Sequence, residues 1–142
     1  MYRFLPYVNI EKDLPEFWAS HKDNIKDWYY KTQRKDDVII SASPEFLLEP
    51  ICKELGIKYL MASKVDMKTG KYEGINCHGK ELYHYESKSR GTEDSKEKVR
   101  RFYEMFPNGK IEDFYSDSYS DSPLAEISKK AFLVKGNELK DW

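Results

Sequence analysis

VIISASPEFLLEPICKELGIKYLMA, residues 38–62, is the stretch whose reading decides the fold. It opens on the β-branched run Val38-Ile39-Ile40, which favours a pleated, half-buried strand. Ser41-Ala42-Ser43-Pro44 then reads as a turn, with Pro44 placed for the first turn of a helix, where a missing N–H costs little. Phe46, Leu47, Ile51 and Leu55 keep helical spacing as far as Gly56, the residue type best suited to ending a helix. Tyr59-Leu60-Met61-Ala62 follows as a second buried strand. Strand, helix and strand in this order predict an α/β fold with two parallel strands and a right-handed crossover.

On the amino-terminal side, Leu14, Phe17, Trp18, Ile25, Trp28 and Tyr29 recur at spacings of three, four and seven among charged residues. That pattern predicts one amphipathic helix over 14–30. On the carboxyl-terminal side, Lys68-Thr69-Gly70 lies between two strand-like arms, so residues 64–75 read as a β-hairpin. Residues 80–94 are polar and without period, as in an inserted loop. Helical spacing returns over 97–106 through Val99, Phe102, Tyr103 and Phe106, and Pro107-Asn108-Gly109 closes it. A second strand–helix–strand unit is expected over 111–115, 123–130 and 131–134.

Composition narrows the function classes. At 142 residues the chain fits one domain, and its 15% aromatic content is one that disordered chains avoid. Lys and Arg number 24 against 25 Asp and Glu, so no global field favours nucleic acid or an anionic membrane. No apolar run approaches the ~18 residues of a membrane helix, and MYRFLPYVNI is too short and interrupted for a signal peptide, so a cytoplasmic protein is expected. Cys52 and Cys77 have no CxxC spacing and read as reduced, small side chains.

The chemistry concentrates in Tyr115-Ser116-Asp117-Ser118-Tyr119-Ser120-Asp121-Ser122-Pro123, where two carboxylates stand four apart between a predicted strand and a helix. Open α/β sheets bind ligands at that place, and Mg²⁺ takes oxygen ligands of this kind. An acidic, serine-rich turn of this sort can equally be a helix cap, with Asp121 as N-cap. Likewise Ser41 can be a turn serine and Lys98 a solvated cation.

IISASPEFLLEPICKELGI, EKVRRF and FYSDSYSDSPLAEISKKAFLV, in that order, resemble motifs two, three and four of the haloacid dehalogenase superfamily, in its phosphoserine-phosphatase-like branch. The resemblance implies a three-layer Rossmann-like core with a parallel sheet over residues 35–142, broken by the polar insertion at 80–94. It implies a Mg²⁺-dependent phosphomonoester hydrolase acting on a phosphorylated small molecule. Ser41 matches the motif-two residue that binds the phosphoryl group, with Ala42 and Ser43 beside it. Lys98 best matches the motif-three lysine, Lys96 being the second choice, and the nearby insertion weakens that match. Asp117 and Asp121 match the motif-four metal ligands.

The family's first strand, ending in Asp-x-Asp-x-Thr and carrying the nucleophile, has no counterpart ahead of Ser41. Val65-Asp66-Met67-Lys68-Thr69 has lysine in the third place and follows the second motif, so it is rejected. FLPYV and EFWASHKDNIKDWYY resemble the helical end of the family's cap, which makes residues 1–34 a cap remnant and the chain an expected amino-terminal truncation. The family places the absent strand in the middle of its sheet. Its loss predicts two unpaired edges, to be covered by a second copy, a complementing amino-terminal segment or a local rearrangement. The chain alone should be nearly inactive. The competing reading is a catalytically inactive phosphate-binding or protein-interaction module; nucleic-acid binding has little support, because the aromatics follow helical spacing and acids match the cations.

Overall fold

Two β-sheets frame the computed structural model, which describes residues 4–73 and 96–142. Helix α1 (Ile10–His21) starts on Asn9, whose side-chain oxygen accepts from the Lys12 N–H while its own N–H donates to Asp13. The single helix expected over 14–30 is broken: a 3₁₀ turn spans Lys22–Asn24, Ile25 is extended, and α2 (Asp27–Thr32) follows. Ser20 and His21 direct their side chains at the Phe17 carbonyl, 3.0 and 2.8 Å away, and so compete for a last-turn acceptor of α1. The break lets the two tryptophans serve different partners. Trp18 Nε1 donates to the Leu47 carbonyl at 2.7 Å, whereas Trp28 stacks on Tyr115 with ring centroids 4.9 Å apart.

Strand β1 (Val38–Pro44) runs parallel to β2 (Tyr59–Ser63), and α3 (Glu45–Glu54) makes the crossover. Ser41-Ala42-Ser43 is therefore strand, where the sequence predicts a turn. The register explains it: Ile40 faces Met61 and Pro44 faces Ser63, so the intervening β1 residues bulge. Ser41 Oγ accepts from the Ser43 N–H at 3.1 Å inside that bulge. The expected end of α3 is observed, for Gly56 has φ +73°, its N–H reaches the Lys53 carbonyl, and the Ile57 N–H reaches that of Cys52.

Val65 and Tyr72 bridge antiparallel, and Asp66 Oδ1 accepts from the Lys68 and Thr69 N–H groups, in keeping with the hairpin. The inserted loop expected at 80–94 and Cys77 lie outside the described residues. Helix α4 (Lys96–Met105) buries Phe102 and leads to Gly109, where a Cβ would stand 2.7 Å from that of Phe106. No side chain larger than hydrogen fits there.

Strand β3 (Ile111–Ser116) is parallel to β4 (Ser128–Lys135), which pairs antiparallel with β5 (Glu138–Asp141). The helix expected over 123–130 is the shorter α5 (Ser122–Glu126), because Ser128 Oγ takes the Leu124 carbonyl at 2.6 Å and residues from Ser128 onward pair with β3. The strand expected over 131–134 is thus the middle of a longer one. β5, whose Glu138, Lys140 and Asp141 give no apolar alternation, is an element the sequence reading lacks. Its charges suit an edge strand.

Among the described residues no strand joins β1 to β3. β1 and β3 share no hydrogen bonds, and nearly all their Cα atoms stand more than 8 Å apart. Trp28, Tyr29 and Thr32 of α2 line the space between them. Beside it lies a core that includes Phe102, Leu124, Ala125 and Leu133. Leu124 is 1% exposed, so Leu124→Ala should lower stability by about 3 kcal/mol, read as a shifted urea midpoint with little change in the slope.

Candidate functional site

The chain leaving β3 must turn into α5, and its serines build the turn. Ser116 Oγ accepts from the Ser118 N–H and Ser118 Oγ from the Ser120 N–H, each at 3.2 Å. These two short loops leave Asp117 exposed and turn Asp121 inward. Asp121 does occupy the N-cap position of α5, but its side chain makes no capping bond. Its Oδ1 accepts from Lys98 Nζ at 2.7 Å, and its Oδ2 from Ser116 Oγ at 2.9 Å.

Lys98 is only 5% exposed. A lone ammonium so buried would be prohibitive, but a short charge-assisted bond to a carboxylate that is itself hydrogen-bonded makes the arrangement tenable. The solvated-cation reading therefore fails for Lys98, while Lys96, the second choice, is exposed. Glu97 and Arg101 seat the helix. Glu97 bonds Arg100 through both oxygens at 2.8 Å and Arg101 at 2.9 Å, and Arg101 Nη1 donates to the Ala62 carbonyl of β2 at 3.1 Å. The Arg100 guanidinium, helped by Arg101 and opposed by burial, holds the Glu97 carboxyl down at about 2.

The network joins two of the residues singled out in the sequence, Lys98 and Asp121. Ser41, Ala42 and Ser43 sit in the bulged half of β1, where the Ser41 hydroxyl has the local role of a turn serine. Asp117 lies four residues before Asp121 on the same turn but faces solvent. Among the described residues no three His, Cys, Asp or Glu side chains converge as a metal cage. Sequence reasoning missed Ser116, which orients Asp121; the alternation of serine and aspartate was its only signal.

Beside this network a cavity of about 310 Å³ lies between β1 and β3, lined by Trp28, Tyr29, Ile40, Phe102, Tyr115 and Asp121 among others. Burial, with the adjacent Asp37 carboxylate, pushes the Tyr29 phenol up to about 12. Burial and the Asp113 charge also raise Tyr115, against a hydrogen bond with Thr32. Both phenols remain neutral donors at physiological pH.

Two outcomes follow from the charge network. The Lys98→Met and Asp121→Asn variants should each lose about 3 kcal/mol, and the double variant less than their sum, since a buried charge without its partner carries most of the cost. Glu97 is depressed in the fold relative to its ordinary 4.5, so its stabilisation is complete above that value and disappears as pH falls toward about 2. A Glu97→Gln variant should accordingly be less stable than the parent at pH 7 and converge with it across that window, as urea midpoints will show.

The family model for haloacid dehalogenase-like hydrolases matches residues 14–126, well over half of the chain. No curated protein and no solved structure matches it. With that match and the α/β architecture of parallel strand pairs, the chain belongs to the haloacid dehalogenase-like hydrolase family.

Proposed function

We propose that this hydrolase-family chain forms the phosphate-handling part of a Mg²⁺-dependent phosphomonoesterase of the phosphoserine-phosphatase-like branch, with a phosphorylated small molecule as substrate. The buried Lys98–Asp121–Ser116 network after β3 carries the reading. It keeps a cation and a carboxylate in fixed relation largely away from solvent, a preorganised pair of the kind that could adjoin a phosphate and its metal ion. In this reading residues 1–34 are the remnant of a cap and residues 35–142 the core. Ser41, with Ala42 and Ser43, binds the phosphoryl oxygens, and Lys98 neutralises their charge.

Asp117 and Asp121 would hold Mg²⁺. The donor chemistry fits: both are carboxylates, and Asp117 is exposed. When bound, the ion supplies positive charge to the phosphate oxygens. The attacking group is another matter, because no two aspartates stand two apart anywhere in the sequence and Asp-x-Asp is therefore absent. The chain's own residues then bind and orient phosphate without attacking it. We place this activity in the cytosol, where Cys52, buried as a free thiol, stays reduced; no described helix is long and apolar enough to cross a membrane.

A second reading, a phosphate-binding or protein-interaction module without catalysis, is favoured by β1 and β3 each pairing along one edge only among the described residues. Assay of the purified chain with Mg²⁺ and an aryl phosphate tests both. Turnover should lie at least about three orders of magnitude below the ~10 s⁻¹ common among enzymes. Calorimetry should show phosphate binding that requires Mg²⁺ and weakens about tenfold or more in Asp117→Asn, as loss of a carboxylate ligand predicts. Turnover near 1 s⁻¹ that Asp117→Asn abolishes would show that the chain holds its own nucleophile. Absence of Mg²⁺-dependent phosphate binding would remove the proposal altogether.

A further inference from the structure

Three aromatic rings gather beside the turn that carries Asp117 and Asp121. Trp142 directly follows β5, and its N–H donates to the Ala131 carbonyl of β4 at 3.2 Å. Ala131 pairs with Phe114 across the β3–β4 ladder, which brings the Phe114 and Trp142 rings together with centroids 5.7 Å apart. Trp142 in turn meets Tyr119, at 5.2 Å and an interplanar angle of 74°. The Tyr119 side chain belongs to the turn itself, in the 3₁₀ segment Tyr119–Asp121, and the residue is 59% exposed.

The turn is folded by serine hydroxyls, and Tyr119 contributes its carbonyl, which accepts from Ser122 Oγ at 2.7 Å. Its ring is left over from that task. Two residues separate Tyr119 from Asp117, so their Cα atoms stand at most ~7 Å apart. Both are exposed, while Asp121 between the turn and α5 points inward. Rings set nearly perpendicular hold one another in a favoured edge-to-face arrangement, which occupies at most one face of each. Trp142, anchored to β4, therefore steadies Tyr119 and leaves it a face for a ligand.

We infer that Tyr119 is a specificity-determining residue of the phosphomonoester site, with Trp142 as its positioning residue, and that the substrate is an aryl phosphate whose ring stacks on Tyr119. The inference deepens the reading above and rests on it: Ser41, Lys98 and the Asp117–Asp121 pair receive the phosphate, and Tyr119 receives the group to which the phosphate is esterified. A cationic leaving group could also use an aromatic face. The neighbouring Asp117, however, is assigned to Mg²⁺ in that reading, and a second cation so close to the ion is repelled.

Calorimetry on the full chain with Mg²⁺ tests this, using phenyl phosphate, cyclohexyl phosphate, phosphocholine and inorganic phosphate. Phenyl phosphate should bind about fivefold more tightly than cyclohexyl phosphate, which has a ring of similar size without a π face. Tyr119→Ala should bring that ratio to about one and Tyr119→Phe should keep it, since stacking needs the ring and not the hydroxyl. Trp142→Leu should lower the ratio to about twofold, because an unbraced ring must be ordered on binding. Equal affinity for the two ring phosphates in the parent chain would overturn the inference. So would a preference that survives Tyr119→Ala, or phosphocholine binding more tightly than phenyl phosphate. Inorganic phosphate separates the two levels: its binding without any aryl preference overturns the Tyr119 assignment alone, whereas its failure to bind removes the phosphomonoester reading and this inference with it.

Discussion

A lysine ammonium at 5% exposure has to be answered by a negative charge, and the turn after β3 is shaped to answer it. Asp121 reaches Lys98 because Ser116 and Ser118 use their hydroxyls to fold the intervening backbone, and Ser116 also braces the carboxylate. The pair fixes α4 against the β3–α5 turn, two regions separated by a full strand in sequence. Glu97 and the two arginines extend the tie to β2 through the Ala62 carbonyl. The contact that ties these elements together is therefore also the centre of the candidate site.

The main chain imposes the other constraint. Each strand pair satisfies one edge of its members and leaves another, and in an α/β fold those edges are normally consumed by the next strand. Here β5 closes one outer side with a short, charged strand, whereas the inner edges of β1 and β3 face a cleft. Helix α2 covers part of that cleft with Trp28 stacked on Tyr115, and Arg34 reaches Asp113 at 2.5 Å across it. Arg34 is largely exposed, so this pair adds little to stability.

Much of this was legible from local pattern. The β-branched run at Val38, the helical spacing up to Gly56 and the strand at Tyr59 are short-range signals, and all three elements are present. Lys98 and Asp121 were picked out through motif order, which no composition or period would have revealed. The places where the pattern misled share a cause. Ser41-Ala42-Ser43 reads as a turn by residue preference, yet pairing with β2 keeps it in a strand. Residues 128–130 read as helix, yet pairing with β3 takes them.

The sequence by itself determined where α3 ends and that a helical crossover joins β1 to β2, because each depends on residue identity or on spacing along the chain. Only the tertiary structure decided that Lys98 is buried against Asp121 while Asp117 faces water, and that Trp28 stacks on Tyr115. Burial and pairing are properties of neighbours distant in the chain, and their energies outweigh the local preferences that a single sequence records.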